Sequence, residues 1–174
     1  MAYLTQVKQN EIDAKVDQIL LDTGLSYPKN GLLEIADALG ISVYSSDLPD
    51  FENKRVKGVI KWPEQNGTNE GHPTIHLNQN LSESTKVFTL AHEVGHFILH
   101  PNESKLRIDL FDYSQDTKES LEETEANYFA ASLLVPKDKL QTLMRLTGDI
   151  DKMAEYFRVS RPVIENRIKW LQTN

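Results

Sequence analysis

Residues 92–96 read His92-Glu93-Val94-Gly95-His96, an H-E-x-x-H pattern set inside the apolar stretch 87–99. The apolar residues of that stretch recur at helical spacing, which places the pattern on one helix. Two residues four apart on a helix are separated by about 40° around the axis and about 6 Å along it, so both imidazoles can turn toward one point. A metal ion uses two such nitrogens together. A carboxylate directly after the first histidine then lies beside the ion, within reach of a water proton. His92 and His96 are therefore candidate metal ligands, and Glu93 is a candidate general base.

A site of this type takes a third protein ligand. His100 continues the row of residues 92 and 96, but in an unbroken helix it stands about 12 Å from His92 along the axis, against metal–nitrogen bonds of about 2 Å. It suits the helix end, where a donor side chain meets free carbonyls. Residues 118–135 form a second strongly helical stretch, ended by Pro136, and three glutamates compete there. With Glu123 at 0°, Leu134 falls at about 20°, Asn127 at about 40°, Ala130 at about −20° and Ala126 at about −60°. Glu123 thus centres the small and apolar face. Glu122 lies at its edge, and Glu125, at about 200° beside Tyr128 and Ser132, is expected to meet solvent. Ala126, Ala130 and Ala131 would let two helices approach closely, and Asn127 is placed to accept a hydrogen bond from a ligating histidine.

Around this helix pair the chain reads as one domain: 174 residues, 39% apolar and 26% charged. A formal charge of −7 opposes general attraction to nucleic acid or anionic membrane. With no cysteine, any metal must rely on histidine and carboxylate. Residues 1–20 lack the apolar core of a signal peptide, and no stretch approaches the roughly 18 apolar residues of a membrane span, so a soluble cytoplasmic protein is the expectation.

Helical spacing marks residues 11–23 and 32–39, each stopped by a glycine. Residues 41–44, 56–62 and 73–77 read as strands of a small antiparallel sheet, with a turn at Pro49-Asp50 and a hairpin connection through Asn66-Gly67. Strand 73–77 is the expected edge for an extended substrate. Two histidines near it, His72 and His76, suit surface or packing roles. Ser82 is the expected N-cap of the motif helix, which Pro101 ends after His100. Residues 101–117 read as an irregular crossing segment and a flap. Helices at 139–146, 150–157 and 162–171 close the chain.

The pattern at 92–96 followed by Glu123-Thr124-Glu125-Ala126-Asn127-Tyr128-Phe129-Ala130-Ala131-Ser132-Leu133-Leu134-Val135-Pro136 resembles the ImmA/IrrE family of bacterial and phage metallopeptidases. That family's E-x-x-A-N-x-F-A-A-x-L-L-x-P signature is matched at nearly every position. The resemblance covers residues 73–136 best and extends loosely to residues 32–40 and the C-terminal helices. It implies an α+β, zincin-like fold of the gluzincin type. One zinc ion would sit on His92, His96 and Glu123, with Asn127 standing where better-known gluzincins carry aspartate. It also implies an endopeptidase that cleaves a helix-turn-helix repressor, often encoded alongside, and so relieves repression of a phage, mobile element or stress regulon.

Two readings compete with this one. A non-catalytic anti-repressor would sequester the repressor, and a SprT-like DNA-associated metallopeptidase would be expected to carry a third histidine and a more basic surface. A donor to the tetrahedral oxyanion is also required, for which His76, His100, Tyr113, Tyr128 and Arg107 are candidates. The domain reading places the metallopeptidase core at residues 1–147 and a helix-turn-helix-like region, packed on that core, at 148–174. Residues 149–169 hold five basic and four acidic side chains, so direct DNA binding is not expected. Packing on the core, or docking a repressor, fits these helices better.

Overall fold

The computed structural model describes residues 4–52, 54–62, 72–101, 106–110 and 121–172, apart from the side chains of Leu106, Arg107 and Leu110. In chain order come α1 (Gln6–Thr23), α2 (Leu32–Ala38), β1 (Ser42–Ser46), β2 (Val56–Lys61), β3 (Thr74–Asn78) and α3 (Glu83–Leu99). There follow β4 (Leu106–Leu110), α4 (Leu121–Leu134), α5 (Lys137–Leu146), α6 (Ile150–Phe157) and α7 (Arg161–Gln172). This is a mixed α+β architecture.

Helix α4 is the centre of the helical layer. Residues Ala126, Phe129, Ala130, Leu133 and Leu134 are inaccessible to solvent, and α3, α1 and α7 all pack on it. Helix α3 lies between α4 and the sheet. It begins where Ser82 accepts a hydrogen bond from the Thr85 amide, as the sequence predicts. Ile60 of β2 and Ile75 of β3 join Leu90 and Val94 of α3 in the core. Each such buried side chain contributes about 1.5–3 kcal/mol relative to exposure.

The sheet has the order β1-β3-β2-β4. Strand β2 is antiparallel to both β3 and β4, whereas β1 and β3 are parallel. The wholly antiparallel expectation therefore fails at β1. Strand β3 folds back antiparallel to β2 and inserts between β2 and β1, so it runs in the direction of β1. The same insertion makes β3 an interior strand, not the edge expected from chain order. Among the described residues the edges are β1 and β4.

Strand β4 lies in the stretch expected to be irregular. Its apolar residues at 106, 108 and 110 alternate, which is the pattern of a strand with two distinct faces. Its pairing with β2 is broken by a bulge between Val56 and Gly58, which leaves Lys57 as the extra residue opposite the Leu110 and Asp109 positions.

The C-terminal helices are tied to α4 through a buried guanidinium. Arg167 of α7 is 2% exposed. Its Nε donates to the Val135 carbonyl at 3.2 Å, and its Nη2 to Asp13 Oδ1 of α1 at 3.4 Å. Asp13 also accepts from the Tyr128 hydroxyl at 3.0 Å and from Ser132 Oγ. Charge-assisted bonds of this kind satisfy a carboxylate that α1 would otherwise press against apolar surface. No helix of the described residues is long and apolar enough to cross a membrane.

Candidate metal centre

Helix α3 presents His92, Glu93 and His96, all buried, and α4 presents Glu123 and Asn127. The two helices meet closely because Gly95 has no side chain. A Cβ built there would lie 3.0 Å from Phe129 Cδ1 and 3.3 Å from both the Cα and the carbonyl oxygen of Ala126. The glycine inside the H-E-x-x-H pattern and the alanine one turn after Glu122 thus form one contact. It brings the Glu123 carboxylate to the two imidazoles.

His92 Nε2 and His96 Nε2 lie 3.0 Å apart. Glu123 places Oε2 3.4 Å from His92 Nε2 and Oε1 3.6 Å from His96 Nε2. One donor atom from each residue falls within 4.8 Å of the other two. Tetrahedral coordination with bonds of about 2.0–2.1 Å separates ligand atoms by about 3.3–3.5 Å, so the three donors fit one ion of zinc's size and preference. His92 Nδ1–H donates to Asn127 Oδ1 at 3.0 Å. That tautomer leaves the Nε2 lone pair directed at His96 and Glu123.

A second acid approaches from the sheet. One carboxylate oxygen of Asp109 on β4 lies within 4.8 Å of both a Glu93 oxygen and a ring nitrogen of His92. Lys57 Nζ, carried by the bulge in β2, is 2.8 Å from Asp109 Oδ1. Gly58, next to Lys57, gives Glu93 its room: a Cβ there would lie 3.0 Å from Thr89 Cγ2 and 3.5 Å from Glu93 Oε1.

Residues 36–169 match the family model described as the IrrE N-terminal-like domain. The chain belongs to the ImmA/IrrE family. Metallopeptidase ImmA of Bacillus subtilis is 26% identical over 141 residues, covering 80% of this chain and 75% of that protein. Radiation response metalloprotease IrrE of Deinococcus deserti is 36% identical over 78 residues, which are 44% of this chain and 27% of that protein. An immunity region protein of Bacillus phage phi105 is 30% identical over 112 residues, 63% of this chain and 61% of the phage protein. A solved Mycobacterium tuberculosis transcriptional regulator shares the fold, with a TM-score of 0.57 and 20% identity over 89% of this chain and 45% of that one.

In this ImmA/IrrE member the other sequence candidates sit elsewhere. His76 alternates with the inward-facing Ile75 and Leu77, so it lies on the sheet face turned away from α3. There it meets Ser46 Oγ at 2.9 Å and stacks on Tyr44, while burial and the Lys61 ammonium lower its pKa. His72 is exposed. Tyr128 points to Asp13 on the α1 side of α4, and burial raises the pKa of its hydroxyl. Tyr113 and the Arg107 side chain lie outside the described residues.

Glu125 corrects the helical wheel. It is 7% exposed, with oxygens 3.7 Å from His100 Nε2 and 3.8 Å from Lys8 Nζ. Helix α1 covers the face of α4 on which it lies, so solvent never reaches that side. His100 turns its ring to Glu125 rather than to the ion site. No local pattern in the sequence marks Asp109 and Lys57 as site residues, although the alternation at 106, 108 and 110 is a signal that β4 exists.

Proposed function

We propose that this chain is a zinc-dependent endopeptidase of the gluzincin type that cleaves a helix-turn-helix transcriptional repressor and so relieves repression of a phage, mobile element or stress regulon. The convergence of His92, His96 and Glu123 on one point, with Glu93 beside it, carries the reading. When bound there, zinc supplies Lewis acidity, polarising a carbonyl and lowering the pKa of water toward neutrality. Glu93 takes a proton from the attacking water and delivers it to the leaving amine. Asn127 holds the His92 ring in the tautomer that keeps Nε2 free of a proton.

The substrate edge moves from β3 to β4. That strand is a free sheet edge among the described residues and carries Asp109 into the site, so an extended segment adding to it would lie along the reacting centre. We keep 1–147 as the catalytic core and 148–174 as a region that packs on it and docks the repressor. Arg161, at the exposed start of α7, is engaged by Asp151 at 3.0 Å and Glu165 at 2.8 Å, which weakens its attraction for phosphate and supports a protein partner over DNA.

The test is cleavage of a helix-turn-helix repressor, chosen from any encoded beside this gene, by the zinc-loaded protein and its Glu93→Gln variant. Two fragments from the wild type are expected, with kcat falling about 10²–10⁴-fold in the variant while zinc stays bound. Normal cleavage by Glu93→Gln would remove the assignment of the base. A stable complex with no fragments would favour sequestration of the repressor.

A further inference from the structure

Peptide hydrolysis needs a donor for the oxygen that becomes negative as the scissile carbonyl turns tetrahedral. His76 faces away from α3, Tyr128 is bonded to Asp13, and His100 is turned to Glu125. Another cation is held next to the site, on the Asp109 carboxylate. We propose that Lys57 donates a hydrogen bond to that oxyanion and that Asp109 holds its ammonium in place, an inference that rests on the endopeptidase reading.

Three observations converge on Lys57. It is the extra residue of the bulge between Val56 and Gly58. A bulge gives up ladder pairing and re-aims a side chain, and such irregularities concentrate next to active sites. Its Nζ lies 2.8 Å from an oxygen of Asp109, whose carboxylate is in turn within 4.8 Å of Glu93 and His92. The Lys57 side chain keeps 26% of its surface, so a substrate can reach it, whereas Asp109 keeps only 9%. For a largely buried ion pair the cost of desolvation offsets much of the attraction, so net stability is a weak reason for bending a strand to form one. A lysine ammonium is a compact point charge with three donors on a flexible stem, suited to following an oxygen as it changes hybridisation.

In the step itself, water oxygen bonds to the carbonyl carbon while Glu93 accepts the water proton. The carbonyl π pair moves onto oxygen, where the Lys57 N–H meets it. Collapse of the tetrahedral adduct restores the carbonyl, breaks the C–N bond and passes the proton from Glu93 to the amine. Lys57 keeps its proton throughout. It is thus a catalytic residue, and Asp109 is a positioning residue.

The experiment compares zinc-loaded wild type with Lys57→Met, Lys57→Arg, Asp109→Asn and the Lys57→Met/Asp109→Asn double variant. A phosphinic pseudopeptide, whose tetrahedral anion mimics the adduct, and acetohydroxamate, which binds metal without one, are titrated calorimetrically against each. Lys57→Met is expected to bind the phosphinate at least about tenfold more weakly, with zinc content, thermal midpoint and hydroxamate affinity unchanged. Lys57→Arg should recover part of the loss. In repressor cleavage, kcat should fall about 10²-fold with KM little altered.

The double variant separates donation from simple neutralisation of Asp109. If Lys57 only balanced that charge, removing both groups would restore binding; the proposal requires that it does not. Equal phosphinate affinity in wild type and Lys57→Met, or rescue by Asp109→Asn, would overturn it. A rise in KM alone would also do so. Glu93→Gln run in parallel keeps the two claims apart: if it cleaves normally the endopeptidase mechanism fails, whereas if it alone is inactive only the role of Lys57 fails.

Discussion

Glu123 and Glu125 stand two residues apart on α4, and each lies beside a histidine of the motif helix or its C-cap, yet they build different things. Glu123 is 32% exposed and meets two imidazole nitrogens that are themselves 3.0 Å apart. The Glu125 side chain is 9% exposed and sits between one histidine and the Lys8 ammonium. The deeper carboxylate is therefore the one already neutralised by a cation of the fold. The shallower one completes a set of lone pairs that converge on one point. Burial alone does not mark a metal ligand; convergence of several donor atoms on one point does.

The sharpest way to break this contrast is to remove each carboxylate in turn. Glu123→Gln should weaken zinc binding by more than about 100-fold, beyond what the loss of an outer partner costs, and should abolish cleavage. Glu125→Gln should leave zinc affinity at the wild-type value in the same chelator competition. Equal losses in the two variants would erase the distinction.

A smaller effect separates the two pairs through the helix contact. Gly95→Ala forces a methyl group against Phe129 and Ala126. The protein should lose about 1–3 kcal/mol in urea unfolding, and zinc affinity should fall as α4 is pushed from α3. An unchanged urea midpoint would show that the interhelix contact is looser than its geometry indicates. Smaller still, Tyr128→Phe removes one of the bonds to Asp13 and should cost about 1–2 kcal/mol of stability. Zinc content and turnover should not change, and a fall in kcat at full zinc occupancy would return Tyr128 to the list of catalytic donors.

The helix pair was legible because its signals are local. The i, i+4 spacing of His92 and His96 and the small residues around Glu123 need no tertiary information to be read. Glu125 departs from the helical-wheel expectation for the complementary reason. A helical wheel assumes one wet side, and α4 has α3, α1 and α7 packed around it. The parallel pairing of β1 depends on β3 inserting between two earlier strands, which no alternation pattern encodes. Asp109 and Lys57 are brought together by strand register and a bulge, so their meeting could not be seen until β2 and β4 were aligned.

The central claim is that one ion sits between His92, His96 and Glu123. Anomalous diffraction at the zinc edge from zinc-loaded crystals tests it most directly. The account predicts one peak in this ImmA/IrrE chain, about 2.0–2.2 Å from Nε2 of His92, Nε2 of His96 and an oxygen of Glu123. A peak between His100 and Glu125, or no peak at full zinc in solution, would contradict it.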